Sequence, residues 1–231
     1  MTISLVFLDA DDTLWHNMRH FDAAERAFAE MLAPLTDAGI ARARLAEVET
    51  RNLARYGYGA KSFTLSMIET ALDLGGDALP AATIRGILDA GRTLLSHPVE
   101  LLDGVGDTIA RLAERAELVL VTKGDLLHQE MKLAASGLGD YFAAVEIVSD
   151  KTTDTFRRLI AARGIAPDQA IMAGDSLRSD ILPALDAGAW AAFVPHDIVW
   201  NHERAPEPRD HPRFRRLDRL ADLPTLIDAI G

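Results

Sequence analysis

The segment Ile3-Ser4-Leu5-Val6-Phe7-Leu8 is apolar but for one serine, and it runs directly into Asp9-Ala10-Asp11-Asp12-Thr13-Leu14. A near-continuous apolar run of strand length suits a strand covered on both faces, as in a parallel sheet. Three carboxylates in four residues then stand where that strand ends. Crowded carboxylates raise one another's pKa unless a cation offsets their charge. The carboxyl ends of strands are also where open α/β sheets receive their ligands. The chain is therefore expected to build a parallel sheet with a charged, cation-dependent site at the end of its first strand.

The rest of the chain reads in two styles. Over residues 17–97 the periodicity is helical and no strand is convincing. Phe21, Ala24, Phe28, Met31 and Leu32 recur at spacings of three and four, as do Leu45, Val48 and Leu53. Phe63, Met67, Ile68, Ala71 and Leu72 suggest a third helix. Ile84, Ile87, Leu88, Leu94 and Leu95 suggest a fourth, stopped before Pro98. From Pro98 onward strand and helix alternate. Apolar strands at Leu118–Val121, Val145–Val148, Ala170–Ala173 and Trp190–Val194 are separated by helices near Val105–Arg115, Leu126–Ser136, a segment running to Ala162, and Ile181–Asp186. That alternation implies βαβ units in a doubly wound parallel sheet, and right-handed crossovers would bring the strand ends to one edge. Residues 196–219 are polar and rich in Pro and Arg, before a closing helix at Leu223–Ile230.

Formal net charge over the 231 residues is −11. Phosphate backbones and acidic lipid surfaces attract Lys/Arg surfaces, so nucleic acid and membrane are not expected partners. The absence of cysteine excludes disulfides, thiolate zinc sites and a cysteine nucleophile. No basic leader precedes the first strand, and no apolar run approaches the roughly 20 residues of a membrane helix, so a cytoplasmic location is expected. His196, His202 and His211 lack compact metal-ligand spacing and read as surface histidines. Arg213-Phe214-Arg215-Arg216, flanked by Asp210 and Asp218, reads as a solvated face.

With the sheet parallel, four strand ends bring Asp9 and Asp11, Thr122, Lys151, and Asp175 to one rim. The segments Phe7-Leu8-Asp9-Ala10-Asp11-Asp12-Thr13-Leu14, Val121-Thr122-Lys123-Gly124-Asp125, Lys151, and Met172-Ala173-Gly174-Asp175-Ser176 with Asp180 occur in the order of the haloacid-dehalogenase superfamily of hydrolases. The chain resembles its phosphatase branch, with a helical cap inserted between the first and second motifs. The resemblance spans essentially the whole sequence. It implies a Rossmann-like α/β core of residues 1–15 and 98–231 and a cap domain of residues 16–97.

It also implies roles. Asp9 matches the nucleophile that forms an aspartyl-phosphate, splitting hydrolysis into two displacements. Asp11 matches the acid that protonates the leaving oxygen and the base that then activates water, its main-chain carbonyl also serving the metal. Thr122 matches a hydroxyl donor to phosphate, and Lys151 a cation that offsets phosphoryl charge and holds the nucleophile. Lys123 stands where the family often has Asn and is a candidate second phosphate contact. Asp9, Asp11, Asp175 and Asp180 form the expected Mg²⁺ set, Asp180 binding directly, through water, or acting instead as a helix N-cap. Two positions depart from the family pattern. Asp12 replaces a Gly and reads as a turn residue that tolerates left-handed backbone, and Thr152 replaces the Pro that usually follows the lysine.

The expected activity is Mg²⁺-dependent hydrolysis of a small organic phosphate monoester by a monomer or homodimer. A 2-haloacid dehalogenase shares the Asp nucleophile, but carbon–halogen cleavage uses neither a leaving-group acid nor a metal. A phosphosugar mutase would keep all four motifs. A phosphorylatable switch also combines Asp, Thr/Ser, Lys and Mg²⁺, but on a shorter chain with its phosphorylated Asp on a middle strand. Within the cap segment, Arg55-Tyr56-Gly57-Tyr58-Gly59-Ala60-Lys61 is the most suggestive loop for substrate contact, with an ordinary surface turn as the equal alternative.

Overall fold

The apolar N-terminal run becomes a central strand because both of its faces are covered. A computed structural model describes residues 2–230. In chain order its elements are β1 (Leu5–Leu8), α1 (Met18–Leu32), α2 (Ala38–Tyr56), α3 (Ala60–Gly75), α4 (Ala81–Ser96), α5 (Val105–Ala113), β2 (Glu117–Lys123), α6 (Leu126–Ser136), β3 (Ala144–Val148), α7 (Thr153–Ala161), β4 (Ala170–Gly174), α8 (Leu182–Asp186), β5 (Trp190–Phe193), β6 (Phe214–Arg216) and α9 (Leu223–Ile230), joined by short 3₁₀ and π turns. The strands form one parallel sheet in the order β3-β2-β1-β4-β5-β6. Strand order reverses between β1 and β4. This is the point at which open α/β sheets leave a crevice beyond the strand ends.

Alternation along β1 assigns its side chains to two layers. Leu5 and Phe7 pack with Phe156, Leu159 and Ile160 of α7 and with Ala184 and Leu185 of α8. Val6 and Leu8 pack with Ile109 and Leu112 of α5, Leu133 of α6, and Leu223 and Ile227 of α9. The sheet is thus covered on both faces, as the continuous apolar character of its strands requires.

The chain divides into two compact units. One holds the chain up to Met18, Val99–Lys123 and the chain from Gln129; the other holds Arg19–Pro98 and Gly124–His128. The second unit is helical, with Phe28, Leu32, Leu45, Phe63, Met67, Ile87 and Leu94 at its centre. The segment singled out at Arg55–Lys61 is the end of α2, a three-residue link and the start of α3, whose N-cap, Gly59, has no side chain to offer. Asp125 supplies the missing acceptor, taking the Lys61 N–H at 3.2 Å. Gly59 sits at φ 115°, and a Cβ there would lie 2.8 Å from the Asp125 carboxylate. Among the described residues no helix is long and apolar enough to cross a membrane.

One local reading changes. Arg213–Arg216 is not simply a solvated face. It contains the edge strand β6, with Phe214 buried and the Arg215 and Arg216 guanidinium groups 5.0 and 5.4 Å from the ring centres of Trp190 and Phe193. The arginines stay near water while lying over aromatic surface, so their charges hid an apolar contact. The helix expected over Ile181–Asp186 is present as α8, which carries Pro183 in its first turn, where a missing N–H is harmless; the π turn at Leu177–Ile181 that leads into it is not expected from the sequence.

The packing of α7 on the sheet rests on Phe156, fully buried with its ring edge-on to Phe7 at 5.7 Å. Phe156→Ala is expected to lower unfolding free energy by about 3–5 kcal/mol. Urea denaturation should show a lower midpoint with an unchanged slope.

Candidate active site

Every sequence-predicted site residue belongs to the sheet-containing unit. β1 ends at Leu8, and the Asp9 N–H continues the ladder by donating to the Ala173 carbonyl on β4. Asp9, buried at the rim, accepts hydrogen bonds from the Lys151 ammonium and from the Thr13 hydroxyl at 3.2 Å. Thr13 in turn accepts the Asp175 N–H at 3.2 Å. One hydroxyl therefore ties the ends of β1 and β4 together across the point where strand order reverses.

Lys151 follows β3, and Thr152, in place of the expected Pro, caps α7 through its hydroxyl with a reciprocal bond from Thr155. The capped start of α7 holds Lys151 at the strand ends. Its side chain, 2% exposed, bridges Asp9 and Asp180, the latter at 2.7 Å. Burial alone would depress the pKa of this lysine, but the facing charges of Asp180 and Asp9 outweigh it and raise the value.

Asp175 and Asp180 come from the turn after β4. Ser176 caps that turn by accepting the Ser179 N–H at 2.9 Å. Asp180 does not act as an N-cap. Its fully buried carboxylate turns back to accept the Ser176 N–H at 3.0 Å and the Lys151 ammonium. Desolvation lifts the Asp180 pKa to about 7, with Lys151 opposing and Asp9 adding to the rise. Asp175 is pushed well above the ordinary carboxylate range by desolvation and then by Asp9, Asp180 and Asp12, which Lys151 only partly offsets.

Asp9, Asp175 and Asp180 each present a carboxylate oxygen within a set no more than 4.8 Å across. Three carboxylates face one ammonium, so the cluster lacks positive charge. Hard oxygen donors with an uncompensated negative charge fit a small divalent cation such as Mg²⁺.

Asp11 faces elsewhere. Its carboxylate accepts from Trp15 Nε1 at 2.7 Å, Gln129 Nε2 at 3.1 Å and Lys132 Nζ at 2.5 Å. Burial would raise its pKa, but Lys132 and these hydrogen bonds together hold it below the usual carboxylate range. Asp12 adopts the left-handed conformation at φ 61°, and its buried carboxylate accepts the N–H groups of Asn17 and Met18. Thr122, buried at the end of β2, accepts Gln129 Nε2 at 2.8 Å. Lys123 donates to Ser179 and to Glu203, each at 2.7 Å.

Thr13, Gln129, Lys132 and Glu203 thus belong to the site's surroundings without having been singled out from sequence. Gln129 and Lys132 fall on a helix the sequence predicts, but their residue types gave no sign of a buried role. They lie three residues apart on the helix that follows the Thr122 strand and are both 4% exposed, so two polar groups share a helix's inward face. Glu203 sits in a Pro/Arg-rich segment without periodicity and offered no signal either.

A family model described as haloacid dehalogenase-like hydrolase matches residues 3–188. A solved structure of a haloacid dehalogenase-like family hydrolase from Xanthomonas campestris is 38% identical, with a TM-score of 0.89, covering 99% of this chain and 92% of that one. N-acylneuraminate-9-phosphatase from Mus musculus is 28% identical over 145 residues, 60% of this chain and 56% of that protein. Phosphoserine phosphatase from Thermus thermophilus is 31% identical over 103 residues, 42% of this chain and 39% of that protein. The match thus spans little more than half the length of the first of these phosphatases and less of the second.

The β4 end tolerates no side chain at Gly174, where a Cβ would lie 2.2 Å from Asp180 Oδ2 and 2.5 Å from its Cγ. Asp180 cannot retreat without losing Lys151 and the Ser176 N–H. Gly174→Ala is expected to lower stability by about 1–3 kcal/mol through overpacking. Gly106→Ala, at a helical glycine with open space beside it, should instead stabilise slightly in the same denaturation experiment.

Proposed function

This chain belongs to the haloacid dehalogenase-like hydrolases, and on that premise we propose that it is a Mg²⁺-dependent phosphatase of small organic phosphate monoesters. The observation that carries the reading is Lys151, buried between Asp9 and Asp180 and beside the Asp175 carboxylate. Two relatives named as phosphatases support the reaction class.

In the proposed first step an Asp9 carboxylate oxygen attacks phosphorus, the bond from phosphorus to the ester oxygen breaks, and Asp11 gives its proton to the leaving alkoxide. In the second, Asp11 takes a proton from water as that water attacks the same phosphorus. The Asp9–phosphorus bond breaks, and inorganic phosphate leaves. Lys151 orients Asp9 and faces the charge that develops on the phosphoryl oxygens. Thr122 is prepared as a donor. Its hydroxyl oxygen is occupied by Gln129 Nε2, while its proton makes only a long 3.4 Å contact to the Lys123 carbonyl. Asp9, Asp175 and Asp180, with the main-chain carbonyl of Asp11, would hold Mg²⁺, whose charge offsets that of the transferring group. Asp11 is stored as a carboxylate by Lys132, Trp15 and Gln129, the form needed for the second step. To serve as the acid it must leave Lys132 and take up a proton.

Dehalogenation is disfavoured by the same residues, because displacing a halide needs neither Asp11 nor a carboxylate cluster short of positive charge. A phosphosugar mutase would use an identical site and is separated by its product. The net charge of −11 weighs against nucleic acid and acidic membrane as partners, and a small phosphorylated metabolite handled by a cytoplasmic monomer or homodimer completes the proposed reading.

Purified protein is expected to hydrolyse p-nitrophenyl phosphate with Mg²⁺ and to lose that activity in a chelator. Asp9→Asn should lower kcat by at least about a thousandfold, as removal of a nucleophile does. Wild-type turnover in that variant would refute the mechanism.

A further inference from the structure

Lys123 is the second lysine at the strand ends, one residue beyond Thr122, and its ammonium is drawn to one side. It donates to Glu203 Oε1 and to Ser179 Oγ, both at 2.7 Å. Glu203 Oε2 accepts the Ser179 hydroxyl at 2.5 Å and also the Ser176 hydroxyl. The proton positions follow from the inventory of donors. Ser176 Oγ already accepts the Ser179 N–H, and Ser179 Oγ accepts Lys123, so each serine has one proton left and both protons point at Glu203. Only an ionised, acceptor-only carboxylate completes this network. Burial would raise the Glu203 pKa, but Lys123 and the two hydroxyls hold it below the usual range.

The turn that carries Glu203, Asn201–Glu203, is tied to the same loop a second time, where Arg178 donates to the His202 carbonyl at 3.1 Å. Ser176 and Ser179 lie between Asp175 and Asp180. A carboxylate from a segment remote in sequence therefore spans the end of β2 and the loop that carries two members of the acidic cluster.

Resting on the phosphatase reading above, we propose that Glu203 is a positioning residue that holds Lys123 against Ser179 and offsets its charge, leaving Lys151 as the resident cation of the phosphoryl site. An ammonium released from Glu203, one residue beyond Thr122, would attract substrate phosphate and product phosphate alike. Such uniform binding lowers KM without raising kcat and slows release of the product. Glu203 keeps the site from becoming a phosphate trap.

The test is equilibrium binding of inorganic phosphate to the full chain in Mg²⁺, followed by calorimetry, for wild type, Glu203→Gln, Glu203→Ala, Lys123→Met and the Lys123→Met/Glu203→Gln pair. Either Glu203 variant that folds should bind phosphate about fivefold more tightly or better, the gain that one released charge gives at about 4 Å even in water. It should also show a lower KM for p-nitrophenyl phosphate without a higher kcat, and the double variant should lose the gain. A residue that merely braced the loop could not tighten binding when removed. Equal or weaker phosphate binding in the Glu203 variants of an active enzyme overturns this inference and leaves the phosphatase reading standing. A wild type that neither binds phosphate nor hydrolyses the ester overturns both.

Discussion

The site depends on one buried ammonium. Lys151 is withdrawn from water and held between Asp9 and Asp180. Burying such a group is expensive, and buried ion pairs are weak contributors to stability when compared with apolar packing. Its value is positional. Without Lys151, Asp9 and Asp180 would face each other and Asp175 with no positive charge among them, and desolvation already drives Asp175 and Asp180 towards protonation. The lysine fixes the Asp9 and Asp180 carboxylates in place, while the charge still lacking in the cluster is what a divalent cation would supply.

The sheet explains why these groups meet. β1 and β4 are neighbours although more than 150 residues separate them in sequence, and the crossover connections leave their carboxyl ends on one edge. Asp9 extends β1, Asp175 follows β4, Thr122 lies near the end of β2, and Lys151 follows β3. Thr13 then links the Asp9 carboxylate to the Asp175 backbone, so the reversal of strand order also serves as a clamp. Around that centre are two outer polar systems, one holding Asp11 through Lys132, Trp15 and Gln129, the other holding Lys123 through Glu203 and Ser179.

Much of this was legible in the residues. The apolar run before Asp9 announced a doubly covered strand, and the alternation after Pro98 announced the parallel sheet, because burial on both faces leaves a signature that needs no partner to be read. Asp12 could be placed in a tight turn from its residue type, and it is the non-glycine residue with positive φ among those described. β6 was not legible. Its three residues are mostly arginine, and their contact with Trp190 and Phe193 depends on aromatic faces supplied by another strand. The partners of Asp11 and Lys123 were hidden for the same reason. Lys132 lies 121 positions from Asp11, and Glu203 lies 80 from Lys123. Periodicity reports which face of an element is buried, but not which charge will meet it there.

The central claim is that Asp9 carries the phosphoryl group. Enzyme quenched in acid during turnover of a phosphate ester, reduced with borohydride, and sequenced by mass spectrometry reads this directly, because an aspartyl-phosphate is reduced to homoserine and a free carboxylate is not. Homoserine at position 9, dependent on substrate, is the predicted result. Phosphate release with position 9 unmodified and the adduct on another residue would contradict the account.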